Sequence, residues 1–239
     1  MSGKALNLTV GWYGKIPGVG DFASRGVSRE TLEILDNWVQ DGLLSLERST
    51  EEWLSPFLNS PVWNMIVPAG KLSRLPMIGC IAPSCDRIGR GFPLTLMLSG
   101  PESTAFCSLI KQSTDWLTCT REILQQAIKG KYLPDQFDQR VREMTANAWS
   151  ELAEPLSWGV GPASDILDII GLPDTNAITV PLASGVLPWP ELPSFFSDQK
   201  DLSYWWATPT PNHPGTIPVI HKGPLDGALF CRLFNAKHF

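Results

Sequence analysis

A short apolar segment at Leu94–Leu98 constrains the fold of this chain more than any other part of its sequence. It reads Leu-Thr-Leu-Met-Leu without a charged side chain, which is typical of a strand covered on both faces. An apolar segment also precedes it, and the regions 75–82 and 91–99 are spaced like the arms of a hairpin. Because hairpin strands pair antiparallel, we expect a sheet that is not purely parallel and that lies between two helical layers.

Amphipathic segments alternate with the strands and predict these layers. Residues 28–47 are the most regular, with Ser28 as N-cap and apolar side chains at helical spacing behind it. The glycine-rich residues 14–26 predict a loop. Further helices are predicted from Thr50 and over 103–129, 135–148 and 225–234, and further strands over 7–13, 62–67, 77–81, 178–180, 204–207 and 217–220. The expected fold is α/β, a three-layer αβα sandwich around a mixed sheet.

Length and composition predict one domain over 1–239. The chain has 239 residues, 43% of them hydrophobic and 18% charged, so it can bury a sizeable core. Residues 155–224 are rich in proline and are expected to be packed but less regular. The net charge of -5 gives no electrostatic footprint for nucleic acid or for anionic lipid, and no run approaches the roughly 20 apolar residues that span a bilayer. An odd number of cysteines without a secretory leader predicts the cytoplasm.

Tests for an active site find no recognisable catalytic set. The loop Gly14–Asp21 follows a strand, but it ends in Gly-Asp and not in the Gly-Lys-Ser/Thr of a phosphate-binding loop. The three histidines all lie near the C-terminus, and neither a nucleophile elbow nor a metal-ligand spacing occurs. We therefore expect a protein that is not an enzyme and that has no catalytic residue, metal or cofactor.

Two aspartates, Asp21 and Asp86, each lie in a glycine-rich loop beside arginine. Three interpretations stay open for them: a structural brace, a charged recognition patch, or a catalytic acid–base pair. A neighbouring arginine lowers the pKa of a carboxyl group, which disfavours the acid role. As a brace, Asp86, Arg87 and Arg90 would hold the strand connection against Asp21 and Arg25.

Four segments, in order along the chain, resemble motifs of the TagF family, also called ImpM. Residues 11–26 resemble its opening motif and 60–67 its block of Ser-Pro followed by tryptophan. Residues 83–95 are similar to its Pro-Ser-x-Asp-x-x-Gly-Arg-x-Phe-Pro-Leu-Thr signature and 203–206 to its Ser-x-Trp-Trp. The matching positions that are candidates for structural or partner-binding roles are Gly14, Lys15, Pro17, Gly20, Asp21, Arg25, Ser84, Asp86, Arg87, Gly89, Arg90, Trp205 and Trp206.

The resemblance implies an accessory regulator of bacterial type VI secretion. Such a cytoplasmic protein represses secretion after translation by binding a component of the system, such as its forkhead-associated scaffold protein. The resemblance also implies a three-layer α/β fold and no enzymatic activity. The alternatives are an unrecognised enzyme that uses Asp21, Asp86, Arg87 and Arg90, and a structural component of the secretion baseplate.

Overall fold

The computed structural model describes residues 8–100, 110, 113–151, 201–209 and 217–235. Within them the strands are β1 (Thr9–Lys15), β2 (Phe22–Arg25), β3 (Trp63–Val67), β4 (Met77–Ala82), β5 (Leu94–Ser99), β6 (Leu202–Ala207) and β7 (Val219–Lys222). The helices are α1 (Arg29–Ser49), α2 (Leu54–Leu58), α3 (Thr114–Lys129), α4 (Pro134–Glu151) and α5 (Gly227–Phe234). None of these described helices combines the length and the apolar character needed to traverse a lipid bilayer.

All seven strands belong to one sheet, in the order β2-β1-β5-β4-β3-β6-β7. The predicted hairpin is confirmed: β4 and β5 pair antiparallel, with Cys80 opposite Leu96. The sequence predicts a mixed sheet, but each of the six described pairings is antiparallel. β1 and β6 pair with the outer edges of the central strands β5 and β3 but are far from them in sequence. The direction of such a strand cannot be deduced from its own apolar pattern.

Hydrophobic clusters on the two faces of the sheet confirm the α/β class and the three layers. α3 and α4 cover one face with side chains that include Trp116 and Phe137. α1, α2 and α5 cover the other face, and Phe57 and Phe230 belong to that cluster. Each residue of β4 is buried, as are the residues of Leu94–Leu98, which confirms the prediction made from the apolar run.

α1 shows why the predicted helix at 28–47 forms where it does. The Ser28 side chain accepts a hydrogen bond from the N–H of Thr31 (3.2 Å) and so satisfies a donor in the first turn. Leu35 and Val39, one turn apart, are fully buried on the face toward the sheet. Thr50 is the C-cap of this helix, so the prediction that Thr50 starts the next helix is wrong: α2 begins after Trp53.

Two other boundaries differ from the sequence-based expectation, and one predicted strand cannot be compared. The loop predicted over 14–26 contains β2, since the glycines permit the turn that lets Phe22–Arg25 fold back on β1. Ser113 is the N-cap of α3, so the helix predicted as continuous over 103–129 is broken there. The predicted strand 178–180, with 152–200 as a whole, lies outside the described residues.

Candidate functional site

The carboxylate of Asp86 is the centre of the loop between β4 and β5. Its side chain is fully buried, and both oxygens are occupied. Oδ1 accepts the backbone N–H groups of Ile88 (3.1 Å) and Arg90 (3.0 Å). Oδ2 lies 2.6 Å from Nε of Arg90 and 3.1 Å from Nζ of Lys15. Two cations and two amides therefore compensate one buried negative charge.

This environment keeps Asp86 ionised. Burial alone would raise the pKa of the carboxyl group, but the hydrogen bonds from Arg90 and the contact with Lys15 outweigh it and hold the pKa far below the ordinary value. An ionised carboxylate accepts hydrogen bonds and has no proton to donate. The arrangement therefore suits a structural anion and does not suit a general acid.

The backbone of the same loop closes around this carboxylate. The N–H of Gly89 donates to the carbonyl of Asp86 (2.9 Å), and the N–H of Asp86 donates to the carbonyl of Arg90 (3.1 Å). Gly89 has φ +88°, a conformation that costs a side-chain-bearing residue about 1 kcal/mol or more. The glycine and the aspartate of the motif thus serve one tight turn.

Three contacts attach this turn to the glycine-rich loop after β1. The N–H of Arg87 donates to the carbonyl of Val19 (2.8 Å). Nη2 of Arg90 donates to the carbonyl of Gly20 (2.8 Å), and the buried hydroxyl of Ser84 donates to the carbonyl of Lys15 (2.8 Å). The glycine-rich loop and the Asp86 loop are far apart in sequence but form one structural unit.

The glycine-rich loop itself is shaped by two positions. Pro17 follows Ile16, whose carbonyl accepts the N–H of Val19 (3.0 Å), and its fixed φ suits the second position of this turn. Gly14 has φ +143°, and a Cβ there would stand 2.1 Å from the carbonyl oxygen of Pro93. The close approach of β1 to β5 thus requires glycine at this position.

Asp21 and Arg25 do not join the brace, so this part of the sequence prediction is wrong. Oδ1 of Asp21 accepts the N–H of Phe22 (2.8 Å) at the exposed start of β2. Arg25 forms an exposed ion pair with Asp135 of α4 (3.0 Å). In β2, residues 22 and 25 are exposed at the edge of the sheet; the buried cation opposite Asp86 comes instead from Lys15, at the end of β1.

Trp205 and Trp206 are core residues on opposite faces of β6. Trp205 is fully buried beside Trp38, with ring centroids 5.5 Å apart, and its Nε1 donates to the hydroxyl of Ser203 (3.0 Å). Trp206 is buried in the cluster under α3 and α4. Adjacent strand residues point to opposite faces, so the pair ties the two helical layers to β6.

Two neighbouring side chains leave this unit toward solvent. Arg87 is exposed, and within the described residues its guanidinium forms no hydrogen bond or ion pair that the structure records. Ile88 is 70% exposed. Ile88 was not among the residues predicted from the sequence. The signal for it is an isoleucine inside a turn of charged and glycine residues, where no strand or helix periodicity accounts for it.

The described residues contain no group of three His, Cys, Asp or Glu side chains that could hold a metal ion. A cavity of about 230 Å³ lies elsewhere, between the ends of α1 and α5, and Leu46, Trp53 and Phe234 line it. No residue of the Asp86 loop contributes to its wall.

Comparisons with known proteins agree with this geometry. The chain is similar to PA0076 from Pseudomonas aeruginosa PAO1, a crystal structure, with a TM-score of 0.66 and 24% identity over 95% of this chain and 94% of that chain; this likeness shows the fold. No curated protein matches the chain. The family model of the TagF N-terminal domain, described as type VI secretion system-associated, matches residues 11–144, which include the glycine-rich loop and the Asp86 loop. The chain therefore belongs to the TagF family of proteins associated with type VI secretion.

Proposed function

We propose that this chain is a cytoplasmic repressor of type VI secretion that acts after translation, by binding a component of the secretion system and not by catalysis. The component that we propose is the system's forkhead-associated scaffold protein. The single observation that carries the proposal is the TagF family match over residues 11–144. Within these residues, the signature positions form one hydrogen-bonded unit around Asp86.

The geometry of this unit favours binding over catalysis. Both oxygens of Asp86 are engaged in ion pairs and hydrogen bonds, and its side chain has no exposed surface. A catalytic carboxylate must reach its substrate within hydrogen-bond distance, directly or through one water. Asp21, the second carboxylate of the enzyme alternative, lies outside the brace at the start of β2. The two carboxylates considered for catalysis therefore do not share one accessible site: Asp86 is buried and Asp21 is on the surface.

The experiment is co-purification of the full chain with the forkhead-associated scaffold of the same bacterium. We expect the two purified proteins to form a stable complex. A forkhead-associated protein from outside the secretion system is the specificity control and should not bind. The absence of binding between two folded proteins would contradict the proposed partner.

Repression is tested separately by deletion and overproduction of the gene. A repressor predicts that secretion persists or rises in the deletion strain and falls when the protein is overproduced. Loss of secretion in the deletion strain would instead support a structural component of the baseplate.

A further inference from the structure

We propose that the chain docks an acidic segment of its protein partner on the exposed end of the Asp86 loop. We call this surface the loop tip and define it by Gly20, Phe22, Arg87, Ile88 and Arg90. The proposal rests on the proposed function, because it assigns the partner-binding role to one place on the molecule.

Exposure distinguishes the loop tip from other surface positions. Ile88 is the most exposed large apolar side chain among the described residues, at 70%. A single exposed apolar residue is ordinary. Here it follows Arg87, an exposed cation for which the described structure records no side-chain partner, and arginine is enriched at protein interfaces.

The loop tip is rigid although it is exposed. Asp86 accepts the backbone N–H of Ile88 on one side of the turn, and the N–H of Arg87 donates to Val19 on the other. The guanidinium of Arg90 is fixed between Asp86 and the carbonyl of Gly20. A backbone that is already ordered loses little conformational entropy on binding, so these contacts favour docking at Arg87 and Ile88.

The charges of the loop tip favour an acidic partner. Lys15 and Arg90 both contact Asp86 and share its negative charge. Asp21 lies next to the surface, where its Oδ1 accepts the N–H of Phe22 (2.8 Å). The three cations Lys15, Arg87 and Arg90 thus outnumber the two carboxylates, and Arg87 is the cation for which the described residues show no ion pair. A positive site on a chain with net charge -5 selects an acidic segment by electrostatic complementarity.

Space and apolar surface are available beside this charge. A Cβ at Gly20 would have Nη2 of Arg87 as its nearest neighbour, at 3.9 Å, so the glycine leaves one side of the guanidinium open. Phe22 is 44% exposed, and its ring packs on Phe92 with centroids 4.8 Å apart. The partner segment that fits carries a carboxylate that pairs with Arg87, flanked by apolar side chains that contact Ile88 and Phe22.

The test measures the affinity of the full chain for the purified forkhead-associated scaffold by titration calorimetry. The tip variants are Arg87→Glu and Ile88→Asp. Matched controls are Arg29→Glu and Leu44→Asp, which make the same changes at exposed positions of α1, where Arg29 is 92% exposed and Leu44 47% exposed. Because all four side chains are at least partly exposed, we expect unchanged unfolding midpoints in urea.

The proposal expects each tip variant to raise Kd about tenfold or more and each control to stay within about twofold. Added salt should weaken the wild type more than Arg87→Glu, because the variant has lost the attractive charge. Wild-type binding that survives both tip variants would leave the proposed function standing and overturn the loop tip as the docking surface.

A second readout decides the case in which the wild type does not bind the scaffold and the proposed partner fails. Each variant is then overproduced in the host, and type VI secretion is measured. Loss of repression in both tip variants but not in the controls supports the loop tip, and equal repression by all four overturns it. A different outcome is that the wild type binds phosphatidylglycerol vesicles or single-stranded RNA and that Arg87→Glu abolishes this binding. This outcome would also overturn the loop tip as a docking surface for a protein segment, in favour of a polyanion.

Discussion

Lys15 at the end of β1 and Asp86 in the β4–β5 loop form a buried ion pair, with 3.1 Å between Nζ and Oδ2 and side-chain exposures of 8% and 0%. Nζ also donates to the carbonyl of Arg90 at 3.5 Å. Both charges are buried, so Lys15 depends on Asp86 for compensation, and Asp86 depends on Lys15 together with Arg90. The pair therefore links the stability of the glycine-rich loop to that of the Asp86 loop.

Asp86→Asn should destabilise the protein by about 3 kcal/mol or more, because it leaves the ammonium of Lys15 buried without a counter-charge. The free energy of unfolding from urea titration at neutral pH measures the effect. Asp135→Asn is the matched control: it removes the exposed partner of Arg25, and an exposed pair contributes about 1 kcal/mol or less. Equal stability of Asp86→Asn and the wild type would contradict a structural role for the pair.

Acid should weaken the wild type through the same carboxylate. The pKa of Asp86 in the folded protein lies below its ordinary value of 3.8, because the Arg90 hydrogen bonds and Lys15 outweigh burial. The carboxylate's contribution is complete above that ordinary pKa and falls, by about 1 kcal/mol per pH unit, as pH drops below it. Urea midpoints from pH 6 to pH 3 should show the gap between the wild type and Asp86→Asn narrowing below pH 4. A constant gap would contradict the lowered pKa.

The central sheet was predictable from sequence because its strands carry their own signal. Leu94–Leu98 is apolar on both faces, and the structure buries it on both. β2 gave no such signal: its four residues are exposed or half-buried, and they form a strand because the preceding turn places them against β1. Edge strands of this kind depend on their neighbour more than on their own composition.

The sequence predicted which residues belong to the candidate site, but not all of the ion-pair partners of Asp86. The motif places Asp86 four residues before Arg90, and the turn brings the two together. The other partner of Asp86 could not be deduced, because Lys15 and Arg25 both lie near the glycine-rich loop in sequence. The antiparallel pairing of β1 with β5 decides between them: it brings the end of β1 to the start of β5, where the Asp86 loop ends, whereas Arg25 lies at the edge of the sheet.

Gly14→Ala should destabilise the protein by about 3 kcal/mol or more. The added Cβ would stand 2.1 Å from the carbonyl oxygen of Pro93, the residue before β5, at φ +143°, so steric overlap adds to backbone strain. Gly70→Ala is the control, since Gly70 has φ +86° with nothing within 4 Å of the added Cβ; we expect a loss of about 1 kcal/mol. Thermal unfolding of both variants measures the difference, and equal losses would show that strain alone operates at Gly14.

The two tryptophans of the Ser-x-Trp-Trp motif should act on stability and not on partner binding. Trp205→Phe and Trp206→Phe each remove buried surface, and Trp205→Phe also removes the hydrogen bond to Ser203. We expect each to lower the free energy of unfolding by about 1–3 kcal/mol and to leave the Kd for the scaffold unchanged wherever the variant is folded. Phenylalanine keeps an aromatic ring against Trp38 and in the cluster under α3 and α4, so both variants should fold. A folded variant with normal stability and lost binding would place the partner on β6, and it would require an opening of the helical layer that covers the affected ring.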